Sequence, residues 1–502
     1  MLAKVKSMTV IGLDAEVIDV EVDLSNGLPC FNIVGLPDKA VEEAKERVKS
    51  AIKNSGGLFP QKRITVNLAP ADIKKEGPSF DLPIALGILA AAGQIEFDTE
   101  NTLSVGELSL DGKLRKVNGV LPISMAAKKK NYKEIFVPKT NAKEAAIVEG
   151  ADVLPVDSLK NLMLYLRGER DIKKMKNIKV DFSNEETFLD MSYVKGQEHA
   201  KRALEIAASG GHNILMSGSP GSGKTLLAKT LTTILPNLTF DESLEVSKIY
   251  SITGTLPKEK ALITSRPFRN PHHTASSIAL VGGGQWPKPG EISLAHRGVL
   301  FLDEMPEFPR SVIEILRQPL EDGTVTISRA NGTLSFPANF VLVAAQNPCP
   351  CGYLNDPVKN CSCSPGQIIK YQKKVSGPIL DRIDLHIDVP RVETDKLTSE
   401  STAESSQNIK QRVEKARTIQ ATRFKGTSKV TNSEMTANDI KEYCKLSKES
   451  MDLLKSAIER LYLSARSYTK ILKIARTIAD LDESSNIKSQ HIAEALQYRP
   501  KS

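Results

Sequence analysis

The residues Gly218-Ser219-Pro220-Gly221-Ser222-Gly223-Lys224-Thr225 fill every fixed position of the pattern G-x-x-x-x-G-K-[ST]. Glycines at that spacing let successive backbone N–H groups turn toward one polyphosphate, and a helix opening at the same point adds roughly half a positive charge. Lys224 is then placed to reach the β and γ phosphates of ATP, and Thr225 to hold Mg²⁺. The competing reading is a Gly/Ser turn that happens to precede a lysine. Context weighs against it, because residues 213–217 read as a short buried strand and 225–235 as a helix, the setting the pattern requires.

A second group of residues supplies carboxylates. In Gly298-Val299-Leu300-Phe301-Leu302-Asp303-Glu304, four consecutive apolar residues make a strand buried on both faces. It delivers two acids at its carboxyl end, where open parallel sheets bind ligands. Asp303 is expected to hold Mg²⁺ through water, and Glu304 to polarise the water that attacks the γ phosphate. A further apolar run, 340–346, ends at Asn347, placed to orient that water or sense the phosphate. The alternative for Asn347 is a turn residue before Pro348.

These side chains need several layers of structure to hold them. At 502 residues the chain exceeds one ordinary core, so two to four domains are expected. With 40% hydrophobic and 25% charged residues it has the balance of a soluble globular protein. No run of about eighteen apolar residues occurs, and Met1-Leu2-Ala3-Lys4-Val5-Lys6 leads into no apolar signal core, which predicts a cytoplasmic protein without a membrane partner. A net charge of +8 is compatible with a nucleic-acid partner without identifying one.

The fold class read from the pattern is multidomain α/β. Residues 1–167 alternate strands (8–13, 15–24, 31–36, 64–68, 134–137) with helices (38–54, 81–92), with Asn26-Gly27 offering a turn. Residues 168–188 are charged and weakly periodic, as in a linker. Residues 189–392 form the nucleotide core. Residues 393–502 hold five helical segments, 408–424, 436–443, 447–463, 467–481 and 488–498, that form a lid. In the fourth, Ile471, Ile474, Ala475 and Ile478 stripe one face while Lys470, Lys473 and Arg476 line much of the rest.

Two stretches in the core exceed what a minimal P-loop fold needs. Residues 266–290 are dense in proline and glycine and read as an extended, looped insertion. Its Arg266, Arg269 and Trp286, the chain's single tryptophan, suit phosphate contact and base stacking. His272-His273 offer no evident metal site, since adjacent histidines project apart. Residues 324–328 and 333–336 flank Arg329-Ala330-Asn331-Gly332, a strong hairpin cue. Of six cysteines, Cys349, Cys351, Cys361 and Cys363 cluster as two Cys-x-Cys pairs nine residues apart. They are either a tetrahedral Zn²⁺ site or four reduced structural thiols.

Several of these segments resemble known families. Lys75-Glu76-Gly77-Pro78-Ser79-Phe80-Asp81-Leu82-Pro83, followed by 106–112, resembles the proteolytic domain of Lon-type proteases. That resemblance maps the nucleophile onto Ser79, but the partner lysine's place falls on Leu121. A serine without an adjacent base is a poor nucleophile, so proteolysis is not expected, and a scaffold or ring-forming module is. The core resembles AAA+ motors, in which 193–197 would lie beside the adenine. Ser376-Gly377-Pro378-Ile379-Leu380-Asp381-Arg382 resembles their arginine-finger segment, so Arg382 would reach the γ phosphate on a neighbouring subunit. Ser464-Ala465-Arg466 resembles their second sensor, so Arg466 would contact nucleotide from the lid. A structural ion pair is the alternative for each. The two insertions resemble those of the clade that holds magnesium-chelatase motors and replicative helicases, whose hairpins point into a ring channel and make Arg329 the candidate for tracking DNA backbone. Taken together the chain resembles the YifB/ComM family. That resemblance implies a homo-hexameric, ATP-driven helicase that promotes branch migration of transforming DNA, with single-stranded or branched DNA as the partner. The alternative is a magnesium-chelatase-like motor that remodels a protein partner.

Overall fold

The computed structural model describes residues 1–178, 180, 182, 189–257, 260–284, 286–329, 332–392, 403–461 and 463–500. The chain divides into two compact units. The first comprises Met1–Asp181 and Phe240–Thr264, and the second Phe182–Thr239 and Ser265–Ser502.

The first unit is built on a seven-stranded mixed sheet in the order Cys30–Val34, Arg63–Ala69, Asp14–Ser25, Leu2–Ile11, Thr102–Ser104, Glu134–Pro138, Asp152–Val156. Asp14–Ser25 alternates buried and partly exposed residues along most of its length, the period-2 pattern of a strand with one face on a core. Against that face lies Asp81–Ala91, a helix apolar all round and correspondingly buried. Asp81 opens it and is fully enclosed. Its carboxylate accepts from Arg47 Nε at 2.7 Å and Nη2 at 2.9 Å and from the Leu108 N–H at 3.1 Å.

Two expectations change here. The helix expected over 38–54 is two, Lys39–Glu42 and Ala44–Asn54, the first capped by Asp38 Oδ1 on the Val41 N–H at 2.8 Å. Cys30–Val34 runs parallel to Arg63–Ala69, and Asn26-Gly27, expected as a turn, lies in the bend that connects it to Asp14–Ser25. Part of the expected linker lies on this unit: the Met175 N–H bonds to the Val153 carbonyl at 2.8 Å, and Ile178 packs on the apolar clusters. Residues 179, 181 and 183–188 of that stretch lie outside the described residues.

Ser79 sits in the short 3-10 turn Pro78–Phe80, and its carbonyl accepts from the Gly106 N–H at 2.9 Å. Leu121, the position to which the Lon-like resemblance assigns the partner lysine, is buried with Ile147 and Leu262 in an apolar cluster. Leu262 belongs to the segment that follows the helix Phe240–Thr253, and both group with this unit although they fall within the sequence of the nucleotide core. Glu144, itself buried, gathers three donors: the Leu121 N–H at 3.0 Å, the Asn141 amide at 3.0 Å and the Ser251 hydroxyl at 2.5 Å. The Gly119 N–H adds a bond to the Ser251 carbonyl at 3.1 Å.

The second unit centres on a five-stranded, all-parallel sheet in the order Phe268–Arg269, Val299–Leu302, Val341–Gln346, Ile214–Ser217, Leu385–Asp388. Glu198–Gly210 and Lys224–Ile234 pack on it. The same core runs on without interruption into the carboxyl-terminal helices Ser406–Arg423, Ala437–Tyr443, Lys448–Leu461, Ala465–Leu481 and Ser489–Gln497. In Ala465–Leu481 the stripe of Ile471, Ile474, Ala475 and Ile478 is buried. Its basic residues do not form an open face. Lys470 and Lys473 each donate at 2.7 Å to the carbonyls of Ile383 and Ser433, and Arg476 is buried against Asp480. The boundary expected at 393 lies outside the described residues.

Because Glu144 leaves three donors stranded if it is removed, Glu144→Ala should cost about 3 kcal/mol of local stability. The measurable outcome is faster amide hydrogen exchange across 240–253, with 406–497 unchanged.

Candidate nucleotide site

The P-loop follows the strand Ile214–Ser217 and opens the helix Lys224–Ile234. Gly223 has φ +88°, a left-handed conformation that glycine adopts without strain. A Cβ at Gly218 would stand 2.3 Å from the Val389 carbonyl oxygen, so this turn also needs glycine for close approach. Lys224 is mostly buried, and its Nζ donates to the carbonyls of Gly218 at 2.7 Å and Ser219 at 3.0 Å, with Asn347 Oδ1 at 3.4 Å. Burial pulls its pKa down, and the charges of Asp303 and Glu304 oppose that. An ammonium held only by neutral oxygens is primed for an anion.

Register in the parallel sheet brings the other groups to the same edge. Leu302 pairs with Ala344, and Ser217 with Gln346, so Asp303 and Asn347 leave adjacent strands beside the loop. Thr225 Oγ1 donates to Asp303 Oδ2 at 3.0 Å, and this hydroxyl and carboxylate form the hard-oxygen pair that would hold Mg²⁺. Glu304 adopts a left-handed backbone at φ +51°, which turns its half-exposed carboxylate out of the strand. His273 Nδ1 stands 3.7 Å from Glu304 Oε2.

Two residues missed by sequence reasoning brace the loop. Gln197 Nε2 donates to the Ser222 carbonyl at 2.8 Å and the Pro390 carbonyl at 2.9 Å. Asn213 accepts from the Leu342 N–H at 2.8 Å and donates to the Arg382 carbonyl at 3.2 Å, linking the P-loop strand to the Asn347 strand and the Arg382 segment. Gln197 lay inside a noted segment, but its two acceptors are 25 and 193 residues away.

Arg382 and Arg466 converge on one carboxylate. Arg382 Nη2 pairs with Glu321 Oε1, its Nη1 donates to the Pro378 carbonyl at 2.6 Å, and Arg466 Nη2 reaches the same Glu321 oxygen at 3.3 Å. Arg382 Nε is buried without a hydrogen-bond partner among the described residues.

The insertions separate the candidate arginines. Arg266 donates to the carbonyls of Pro236 at 2.6 Å and Arg297 at 2.7 Å, and Arg269 makes a bidentate pair with Glu291 at 2.6 and 2.7 Å. Both guanidiniums are engaged within the fold. The insertion also holds a short helix, Ser277–Val281, where only loop was expected, with Ser276 capping it. Thr324–Arg329 and Gly332–Pro337 pair antiparallel as a hairpin whose turn residues, Ala330 and Asn331, lie outside the described residues. The ribbon of Gly282–Gly283 and Lys288–Pro289 packs on it, with Arg329 Nη2 over Gly283 and the Trp286 ring beside Gly332. Arg329 is exposed and Trp286 half-buried at this common end.

Cys349, Cys351, Cys361 and Cys363 bring their sulfurs within 4.8 Å of one another. Such a set suits a soft divalent cation such as Zn²⁺.

A P-loop on a five-stranded parallel sheet, with a carboxylate pair and an asparagine at the ends of the adjoining strands, defines an AAA+-type ATPase of the magnesium-chelatase kind. The family pattern described as "Magnesium chelatase, subunit ChlI" matches residues 190–397, "Subunit ChlI of Mg-chelatase" matches 20–141, and "Magnesium chelatase, subunit ChlI C-terminal" matches 403–499. The chain is 46% identical to the competence protein ComM of Haemophilus influenzae over 506 residues, covering 99% of this chain and 97% of that protein. It is 44% identical to the uncharacterized protein YifB of Escherichia coli, over 99% and 97%. A more distant relative is the magnesium-chelatase 38 kDa subunit of Rhodobacter capsulatus, 26% identical over 31% of this chain and 49% of that one. The chain belongs to the ComM/YifB family of magnesium-chelatase-like proteins. Among the described residues no helix is long and apolar enough to cross a membrane.

Removing Gln197 strips donors from two carbonyls that fix the phosphate loop. Gln197→Ala should therefore weaken ADP binding about tenfold by calorimetry while leaving the thermal melt in place.

Proposed function

We propose that this chain is a ring-forming, hexameric motor that couples ATP hydrolysis to translocation on DNA or to branch migration, as in the integration of transforming DNA. The observation that carries the reading is the hairpin end shared by the exposed Arg329 and the half-buried Trp286, an arginine and an indole on two insertions of an ATPase core. An arginine suits phosphate and an indole suits a base face, so together they fit single-stranded DNA. The 46% identity to a protein named as a competence protein fits a role with transforming DNA.

In this reading the polyphosphate sits on the N–H groups of 218–225, with Lys224 exchanging its carbonyl contacts for phosphate oxygens. Thr225 and Asp303 would hold Mg²⁺, which would offset the negative charge of the polyphosphate. Glu304 accepts a proton from the attacking water, Asn347 orients it, and His273 positions Glu304. Arg382 acts on the neighbouring subunit's site, and its unsatisfied Nε and shared Glu321 are what would be re-partnered there. Arg466 contributes from the carboxyl-terminal helices, which act as a lid. The amino-terminal unit serves as a Lon-like scaffold without proteolytic activity, consistent with Leu121 in its core.

The test is ATP turnover by the full chain with and without forked or four-way DNA. Glu304→Gln should bind ATP and assemble yet turn over about 10²-fold more slowly. Arg382→Ala should lose about 10³-fold, as for an arginine supplied in trans, with nucleotide affinity nearly retained. Arg329→Ala should keep basal turnover and lose DNA stimulation, and DNA affinity should fall steeply with salt. No stimulation by any DNA and flat salt dependence would favour a motor that remodels a protein partner.

A further inference from the structure

The strand that ends at Asn347 runs directly into the cysteine loop. Between Pro348 and Ser364 only Cys349 and Gly352 are buried, so the loop has almost no apolar core of its own. What converges instead are thiols. Cys349 Sγ lies 3.4 Å from Cys351 Sγ and 3.6 Å from Cys361 Sγ, Cys351 and Cys361 are 3.6 Å apart, and the Cys351 N–H points at Cys363 Sγ at 3.4 Å. A disulfide would need about 2.05 Å. Four sulfurs on a tetrahedral Zn²⁺ at about 2.3 Å would stand about 3.8 Å apart, close to the three separations among Cys349, Cys351 and Cys361, with all four sulfurs within 4.8 Å of one another. A backbone N–H aimed at sulfur stabilises a thiolate ligand.

The loop is also fastened to the nucleotide site at both ends. After Cys363, Ser364 caps the helix Pro365–Gln372 through a capping box. That helix leads back to the start, with the Tyr371 side chain on the Asn347 backbone and Gln372 Nε2 donating to the Pro348 carbonyl at 3.4 Å. In its middle, Gly352, at φ +85°, presses on the phosphate loop: a Cβ there would fall 2.5 Å from Pro220 Cδ and 3.8 Å from Asn347 Cγ. Asp356 Oδ1 accepts from the N–H groups of Val358 and Lys359 at 2.9 Å each, and the nearby Ser219 side chain helps hold its carboxyl below the usual carboxylate range.

We propose that Cys349, Cys351, Cys361 and Cys363 bind Zn²⁺, and that the resulting knot is a strut that fixes Pro220 and Ser219 of the phosphate loop together with Asn347. The metal is then a requirement for nucleotide binding and not only for local folding. The inference deepens the nucleotide assignment and rests on it.

The experiment uses the full chain purified under reducing conditions. Elemental analysis should give stoichiometric zinc, with no coloured iron cluster. Displacing the metal with an organic mercurial and a chelator, then restoring thiols, should weaken ADP binding about 10-fold or more, because small misplacements of a binding constellation are costly. Added Zn²⁺ should restore it and added Mg²⁺ should not. Asp356→Ala and Gly352→Val keep all four thiols, so they should retain zinc and still lose ADP affinity. Substoichiometric zinc, or wild-type ADP affinity in either the stripped protein or both zinc-loaded variants, would overturn the proposal. Zinc-loaded wild type that binds no nucleotide would instead count against the ATPase reading itself.

Discussion

An ammonium taken out of water and left without a carboxylate is an unstable arrangement unless something negative is meant to arrive. Lys224 is in that position, held by two backbone carbonyls and an amide oxygen at the end of a parallel sheet. The surrounding structure keeps it so. Asp303, the nearest acid by register, is occupied by Thr225, while the left-handed backbone of Glu304 turns that carboxylate away toward His273. The loop cannot relax around the lysine, because Gln197 and the approach of Val389 fix its backbone.

This arrangement was legible in the sequence because its parts are local. A glycine pattern, a four-residue apolar run ending in two acids, and a second run ending in asparagine each carry their meaning within eight residues. The parallel register then needs only strand adjacency to bring them together. The partners were not legible, since Gln197 with Pro390, Asn213 with Leu342, and Glu321 with Arg466 are pairs more than a hundred residues apart. The grouping of Phe240–Thr264 with the amino-terminal unit was hidden for the same reason. Its helix lacks a strong one-sided pattern, and the groups that hold it, Glu144 and Leu121, lie in another part of the sequence.

The arginines show that residue type alone does not assign a role. Arg266, Arg269 and Arg329 carry the same charge in the same pair of insertions, and composition gives no reason to separate them. Carbonyls left over where the chain turns at Pro236 and Arg297 take up the first, and Glu291 takes up the second. Only the third stands at a hairpin end whose cross-strand neighbours are small and polar. A guanidinium has five donors in a rigid fork, so whichever acceptors lie within reach decide whether it builds the fold or faces a ligand.

The same reasoning bears on Arg382 and Arg466, which sequence likeness treats as separate devices. Both end on Glu321, a half-exposed carboxylate that cannot be bidentate to each at once. Moving either arginine toward a phosphate therefore leaves Glu321 to the other, so the two are coupled through one acceptor before any nucleotide is considered. Asn213 holds the Arg382 backbone to the P-loop strand, and Lys470 on the Arg466 helix holds the Ile383 carbonyl. A change of partner at Glu321 would therefore fall on the two guanidiniums, since these hydrogen bonds hold the backbone next to each of them.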